Sequence, residues 1–132
     1  MQKVTWFNMP ATDFDKIADF YNTVFGWELR PTVKASQEDL DFRTILTADS
    51  NETFRSQEPG VINGCLVRRD IGLAHPTVLI SVENIDEKIA EIIAAGGKVV
   101  RAKTAIPEAG GSFAFVKDPE DNLFEIWERT VK

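Results

Sequence analysis

The sequence predicts an α+β fold built from two tandem βαβββ modules, and two observations support this prediction. A nearly identical helical pattern occurs around residues 15–20 and again around residues 87–92, an offset of 87 − 15 = 72 residues. Each copy follows one strand-like segment and precedes three more. A repeat of this length, present twice, indicates two structural halves rather than a solenoid, which uses shorter periods and at least three copies.

The first module begins with a strand and a helix. Residues 4–9 alternate with the period of two that is typical of a strand. Asp13 can cap the next helix and Gly26 can end it, because a carboxylate accepts from free helical N–H groups and glycine tolerates a left-handed conformation. The apolar positions recur at three- and four-residue spacing and are expected to face inward: Phe14, Ile17, Ala18, Tyr21, Val24 and Phe25. Three strands are predicted next, over residues 27–30, 40–47 and 60–67, with a polar loop at 48–59.

The second module repeats this order. Residues 77–82 form an apolar strand, and Asn84 or Asp86 can cap the helix that follows. Its inward positions are predicted to be Ile85, Ile89, Ala90, Ile92 and Ile93. Module one is thus expected to span residues 1–68 and module two residues 75–132, within a single domain of 132 residues.

The end of the second module is predicted to contain a strand, a loop and a hairpin. Residues 98–101 form the strand, residues 102–111 the loop, and residues 112–116 with 123–129 the hairpin. In its turn Pro119 fixes φ and Asn122 tolerates the left-handed region. We interpret the loop that contains Gly110 and Gly111 as a mobile lid over a ligand site.

Composition limits the partners of the protein. Lys and Arg total 15 against 21 Asp and Glu, a net charge of −6. Because phosphate binding needs clustered Lys and Arg, we expect no nucleic-acid partner. No run approaches a membrane span of about 18 apolar residues, so no membrane partner is expected. The lack of a signal-peptide pattern and the lone Cys65, interpreted as a buried and inert thiol, favour a cytoplasmic protein.

Two short motifs resemble those of a known superfamily. FYNTVFGW at residues 20–27 and DPEDNLFE at residues 118–125, together with the half-chain repeat, are similar to the vicinal oxygen chelate superfamily. That group includes glyoxalase I, the bleomycin-resistance proteins and extradiol dioxygenases, and the resemblance covers essentially the whole chain. It implies that the two modules form an incomplete, U-shaped barrel, that a small molecule binds in the barrel cleft, and that the protein is a homodimer.

The resemblance also implies where a metal ion would bind. Metal-dependent members hold a divalent ion with a His in the first strand of a module and a Glu in the last strand of the second module, leaving open positions for substrate oxygens. In this sequence the first-strand positions hold Trp6, with Asn8 on the same strand face, and Thr77. Only Glu125 is the expected ligand type at its expected position. Since catalytic sites use about three protein donors, we predict no metal and no other cofactor.

These residues leave three functions open. The first is a small-molecule-binding protein of the glyoxalase and bleomycin-resistance type with a degenerate metal site and Glu125 as the best catalytic candidate. Its cleft would be lined by Trp6, Asn8, Thr77, Glu125 and Trp127. The second is a metal-dependent enzyme, similar to lactoylglutathione lyase or to a dioxygenase, whose shifted site would use His75, Glu125 and Glu58. The third is a protein-interaction module without a ligand.

Overall fold

The computed structural model describes residues 1–130, apart from the side chain of Glu38, and confirms an α+β fold. Residues 131–132, the predicted end of the second module, lie outside the described residues. The two α-helices among residues 1–130 are α1 (Phe14–Phe25) and α2 (Ile85–Ala94). The strands are β1 (Lys3–Ala11), β2 (Glu28–Leu29), β3 (Phe42–Leu46), β4 (Asn63–Arg68), β5 (Thr77–Ser81), β6 (Lys98–Ile106), β7 (Gly111–Lys117) and β8 (Leu123–Arg129).

The chain divides into two compact units. The N-terminal unit is Trp6–Pro76, and the C-terminal unit contains residues 1–5 and the chain from Thr77 onward. In the N-terminal unit the strand order is β2-β3-β4-β1, with β1 parallel to β4 and the other pairs antiparallel. One face of this sheet packs on α1 through a core of Ala11, Ile45 and Leu66 with partly buried neighbours such as Phe7 and Met9.

Both ends of α1 are as predicted. Asp13 accepts a hydrogen bond from the Lys16 backbone N–H at 3.0 Å, and Gly26 adopts φ 72°. The expected burial of the last turn is wrong, since Val24 is 54% and Phe25 59% exposed. Phe25 instead packs beside Tyr21 at the surface, with 6.0 Å between the ring centroids.

β1 is longer than the predicted strand at residues 4–9, whereas β2, β3 and β4 are shorter than predicted. β2 has two residues, Leu40 belongs to a 3-10 turn at Glu38–Leu40, and residues 60–62 precede β4 because Gly60 turns the chain at φ 81°. The loop at 48–59 is confirmed. It is anchored by Asn63, whose amide N–H groups donate to Ser50 Oγ and the Phe54 carbonyl, both at 2.8 Å.

In the C-terminal unit the strand order is β5-β8-β7-β6, with β5 parallel to β8 and the other pairs antiparallel. Asn84, one of the two predicted caps, accepts from the Glu87 backbone N–H at 3.0 Å. The prediction that Ala90 and Ile93 face inward is wrong, since both are exposed. The reason is geometric: Ile85, Ile89 and Ile92 follow an i, i+4, i+7 stripe toward the sheet, and the other two lie outside it. The core against α2 consists of Val82, Ile85, Ala114, Val116 and Ile126.

The predicted loop at 102–111 is wrong, and with it the mobile lid. β6 continues to Ile106 and pairs with β7, so that Thr104 lies opposite Phe113 and Ile106 opposite Gly111. A 3-10 turn at Pro107–Ala109 closes this hairpin, and the Thr130 N–H donates to the Gly110 carbonyl at 2.9 Å. Residues 102–106 lack a regular alternation of apolar and polar side chains, which a strand at the edge of a sheet does not require, so the sequence pattern did not identify them as a strand.

The predicted turn at 118–122 is confirmed, with one change. Asp118 accepts from the backbone N–H groups of Glu120 at 2.9 Å and Asn122 at 3.0 Å, and from the Asn122 side chain at 2.8 Å. These bonds, the Asn122 side chain first, lower the pKa of the Asp118 carboxyl. The left-handed residue is Asp121 at φ 65°, not Asn122.

Neither α-helix within residues 1–130 combines the length and the apolar character that crossing a bilayer requires.

Candidate functional site

The C-terminal sheet has one face that packs on α2 and an opposite face, which we call the helix-distal face. Ile126 belongs to the core against α2, so its neighbours Glu125 and Trp127 point to the helix-distal face by strand alternation. Directly opposite residues share a face, and Glu125 is paired with Leu79 on β5 and Phe115 on β7. The predicted Glu125 and Trp127 therefore lie on one face of one sheet.

Glu125 is a buried acid on this face. Only 6% of its surface is exposed, although carboxylates are rarely buried without a specific interaction. Its cross-strand neighbours, Leu79 and Phe115, are apolar and also buried. Because burying a carboxyl group costs free energy unless it is hydrogen-bonded or paired, this position indicates a chemical role or a specific polar network.

Thr77 lies at the start of β5, two residues before Leu79 and therefore on the helix-distal face as well. The residue is 8% exposed, and its hydroxyl oxygen has no hydrogen-bond partner among residues 1–130. A buried hydroxyl left without a partner costs about 1–3 kcal/mol. The predicted cleft residue Thr77 thus carries unused hydrogen-bonding capacity close to Glu125.

Aromatic side chains share the helix-distal face with Glu125, at its own level and at the level of Trp127. Phe113 and Phe115 on β7 meet edge to face, with ring centroids 5.1 Å apart, and Phe113 lies opposite Trp127. The Arg101 guanidinium carbon is 5.5 Å from the Phe113 ring centroid, within cation–π distance. The sequence prediction missed Phe113 and Phe115 as part of this face, although their alternation across the hairpin from Trp127 could have identified them.

Gly111 positions the Trp127 ring. A Cβ atom at Gly111 would lie 2.5 Å from Trp127 Cζ2 and would also clash with the Glu128 carbonyl oxygen. Glycine is therefore required here for close approach, and the indole occupies the space that a side chain would fill. Gly111, interpreted from the sequence as part of a lid, instead supports the aromatic part of the candidate site.

The N-terminal unit carries the other two predicted cleft residues. Phe7 and Met9 pack toward α1, so Trp6 and Asn8 take the opposite face of their sheet. The Trp6 indole N–H donates to Cys65 Sγ at 3.4 Å, and the Cys65 thiol donates to Asn8 Oδ1 at 3.3 Å. Cys65 is buried, as predicted, and its thiol links the two residues in one hydrogen-bonded row.

The residues of the shifted metal site lie on irregular segments. His75 is exposed in the bend before β5, and Glu58 is exposed in the loop, where its backbone N–H donates to Ser56 Oγ at 3.0 Å. Over residues 1–130, no three His, Cys, Asp or Glu side chains are grouped so as to hold an ion. The predicted cleft residues offer only an indole, an amide, a hydroxyl and one carboxyl. This set lacks the three imidazole, thiolate or carboxylate donors that bind Zn²⁺ or a similar ion. The residues therefore do not fit a resident metal, and the expected absence of a cofactor stays a prediction.

A cavity of about 400 Å³ lies in the N-terminal unit. Its charged groups are engaged within that unit: Lys34 pairs with Asp41 at 3.1 Å, and Asp15 pairs with Arg43 at 3.1 Å. The backbone N–H of Ala35, followed by Lys34, lowers the pKa of the Asp41 carboxyl. Because these charged groups are paired, we interpret the cavity as structural. None of the described residues that line it is a predicted site residue. The lining residues are Thr12, Asp13, Phe14, Asp15, Thr32, Lys34, Asp41 and Arg68.

The duplicated module order, with an acid in the last strand of the second module, defines a vicinal oxygen chelate protein. Residues 6–127 match the Glyoxalase-like domain family, and the chain belongs to that family.

Its relatives include several lactoylglutathione lyases. The chain is 30% identical over 116 residues to a probable lactoylglutathione lyase of Vibrio parahaemolyticus, covering 86% of this chain and 81% of that protein. It is also 30% identical over 122 residues to a lactoylglutathione lyase of Arabidopsis thaliana, covering 89% of this chain. The chain spans only 41% of the length of that plant protein.

Solved structures show the same fold. A hypothetical protein from Bacillus halodurans matches with a TM-score of 0.70 at 14% identity, over 99% of this chain and 96% of that one. The methylmalonyl-CoA epimerase of Streptomyces coelicolor, in complex with 2-nitronate-propionyl-CoA, matches with a TM-score of 0.69 at 14% identity, over 99% of both chains.

Proposed function

We propose that this protein binds a small molecule on the helix-distal face of its C-terminal unit and does so without a resident metal ion. Glu125 carries the proposal, because it is a buried acid set among apolar and aromatic side chains. Small-molecule sites combine such an apolar lining with a few placed polar groups. A Streptomyces relative in fold has been crystallised with an acyl-CoA analogue, which supports a small-molecule ligand of some kind here. If the protein is an enzyme, Glu125 is the group we propose for proton transfer.

A ligand screen combined with metal analysis tests this proposal. The purified protein, before and after chelator treatment, is screened by thermal shift with divalent ions and with aromatic, amide and carboxylate small molecules. We expect less than one metal ion per chain, no shift with ions, and a rise in Tm with at least one organic class. Trp127→Ala should abolish that rise, because it removes aromatic surface from the site. Stoichiometric metal, or no response to any organic class, would contradict the proposal.

A metal-dependent lyase is the second candidate, and the names of the relatives support it. This candidate function would use His75, Glu125 and Glu58 as metal ligands. It requires that these three residues come together when an ion binds. Lactoylglutathione lyase activity should be measured for the chelated protein and after addition of Zn²⁺ or Ni²⁺. Activity that appears with the ion and disappears in His75→Ala would favour this candidate. We expect no activity in either state.

We further propose a homodimer. Support comes from the exposed apolar side chains on the last two turns of α1, namely Phe20 at 52%, Val24 at 54% and Phe25 at 59% exposure. A solvent-exposed group of this kind is typical of an interaction surface. If the surface binds a different protein, the interaction-module function would follow instead.

The cytoplasmic location and any relation to bleomycin resistance stay predictions.

A further inference from the structure

The unpartnered hydroxyl of Thr77 is the starting point for a more specific inference, which rests on the proposed function. Thr77 is 8% exposed, and its Oγ1 has no hydrogen-bond partner among the described residues. Native proteins leave few buried polar atoms unsatisfied, and each one calls for a physical explanation. A group that is unsatisfied in the protein alone can be satisfied by a ligand.

The position of Thr77 relative to Glu125 indicates what such a ligand could contact. Leu79 is the register partner of Glu125, and Thr77 lies two residues earlier on the same strand face. From strand spacing and rise, the Cα atoms of Thr77 and Glu125 are about 8 Å apart. Two side chains that stand on the same sheet face at this separation leave room for one small polar group between a hydroxyl and a carboxyl.

The two groups also differ in hydrogen-bonding character. A threonine hydroxyl donates one hydrogen bond and accepts others, whereas an ionised carboxyl group only accepts. A ligand that presents an acceptor toward Thr77 and an N–H or O–H donor toward an ionised Glu125 would use both groups at once. A carboxamide has both functions on adjacent atoms. Phe113, Phe115 and Trp127 on the same face favour a flat apolar group attached to it.

We propose that Thr77 and Glu125 bind the carboxamide-like group of an aromatic ligand directly, on the helix-distal face of the C-terminal unit. The Thr77 hydroxyl donates to the ligand carbonyl, and the Glu125 carboxyl accepts from the ligand N–H. No ion is needed to polarise or hold the ligand in this arrangement. Thr77 and Glu125, which are too few to bind a metal ion, are thus suited to bind a ligand through hydrogen bonds.

Three probes that share a phenyl ring test the assignment. Benzamide has the acceptor and the donor, acetophenone only the acceptor, and toluene neither. Dissociation constants are measured by ligand-observed NMR and tryptophan fluorescence. We expect benzamide to bind most tightly and to lose about tenfold in affinity in Thr77→Val, while Thr77→Ser stays within about twofold. Toluene binding should not change in Thr77→Val.

Thermal unfolding without any ligand gives an independent readout. Thr77→Val replaces the unsatisfied hydroxyl by a methyl group of similar shape, so Tm should rise by about 2–5 °C even though benzamide binds less well. Thr104→Val is the matched control: Thr104 Oγ1 donates to the Ala102 carbonyl at 2.8 Å, and its loss should not raise Tm. An unchanged or lower Tm in Thr77→Val would show that the hydroxyl is already satisfied, and this would overturn the inference.

The probes separate this inference from the proposed function. If acetophenone binds as tightly as benzamide, or Thr77→Val leaves benzamide binding intact, the carboxamide assignment is wrong while small-molecule binding stands. If Trp127→Ala changes the affinity of none of the three probes, this face is not their site and the proposed function fails as well.

Discussion

Buried polar residues differ in whether other groups of the protein satisfy their hydrogen bonds. Asp41 is 4% exposed, yet it accepts from the Ala35 backbone N–H at 2.9 Å and pairs with Lys34. Asn63 is 2% exposed and uses both ends of its amide in hydrogen bonds. Thr77 is similarly buried and has no partner among residues 1–130. Satisfied groups of this kind stabilise the fold, and the unsatisfied one is the better candidate for ligand binding.

The lowered pKa of Asp41 gives a prediction for acid stability. The backbone N–H of Ala35 is the main cause, and Lys34 adds to it. A carboxyl whose pKa is lower in the folded state stabilises the protein above its unfolded pKa of about 4, and the stabilisation is lost as pH falls through the folded value. Asp41→Asn should therefore lower Tm at pH 7, and the difference from wild type should shrink below pH 4.

Unfolding curves between pH 2.5 and pH 7 check this prediction. Asp19→Asn, a substitution at an exposed position of α1, serves as the control and should differ little from wild type at any pH. A difference between Asp41→Asn and wild type that stays constant down to pH 2.5 would show that the carboxylate charge contributes nothing.

At the scale of elements, Asn63 joins the loop at residues 48–59 to the start of β4. Its Oδ1 accepts from the Thr47 N–H at 2.8 Å, and its N–H groups donate to Ser50 Oγ and the Phe54 carbonyl. Asn63→Ala leaves these partners unpaired, so we expect the free energy of unfolding to fall by about 2 kcal/mol. Amide exchange in the loop should become faster, while β7 and β8 keep their protection.

Asn51→Ala is the matched control for this prediction. Asn51 Oδ1 also accepts from backbone N–H groups, those of Thr53 and Arg55, both at 3.0 Å, but at the solvent-exposed tip of the same loop. Water can replace these exposed bonds, so the loss of stability should be smaller. Equal effects of the two variants would mean that the burial of Asn63 is not what fixes the loop.

How far the sequence predicted each element depended on the physical signal that the element carries. Asp13, Asn84 and Gly26 gave the helix ends because capping is a local property of one residue type at one position. The end of β6 was missed because its pairing with β7 is non-local and its exposed positions hold both polar and apolar side chains, so that no clear alternation marks the strand. Alternation around Glu125 predicted the face of β8, but the unsatisfied hydroxyl of Thr77 depends on every neighbour and has no signature in a sequence.

For the whole molecule, the exposed apolar group of Phe20, Val24 and Phe25 on α1 is the feature that a single chain leaves unexplained, and half-buried rings pack beside it. The Tyr21 ring stacks on Trp27 with centroids 5.1 Å apart and planes at 8°, and Phe20 meets Tyr21 edge to face at 5.0 Å. Rings held this way lose little conformational freedom on binding, which favours association. Each chain also carries a net charge of −6, so two copies repel each other.

These two properties predict a salt-dependent homodimer. Light scattering should give a mass near 29.6 kDa (2 × 14.8 kDa), with the dimer fraction increasing from 20 mM to 200 mM NaCl because salt screens the repulsion. Phe25→Ser should shift the equilibrium to the monomer by about tenfold in dissociation constant. Ile93 is the matched control, since it is 56% exposed on α2, and Ile93→Ser should leave the dimer intact. A wild-type mass of 14.8 kDa at all protein and salt concentrations would refute the dimer. If Phe25→Ser and Ile93→Ser changed the dissociation constant equally, the dimer interface would lie elsewhere.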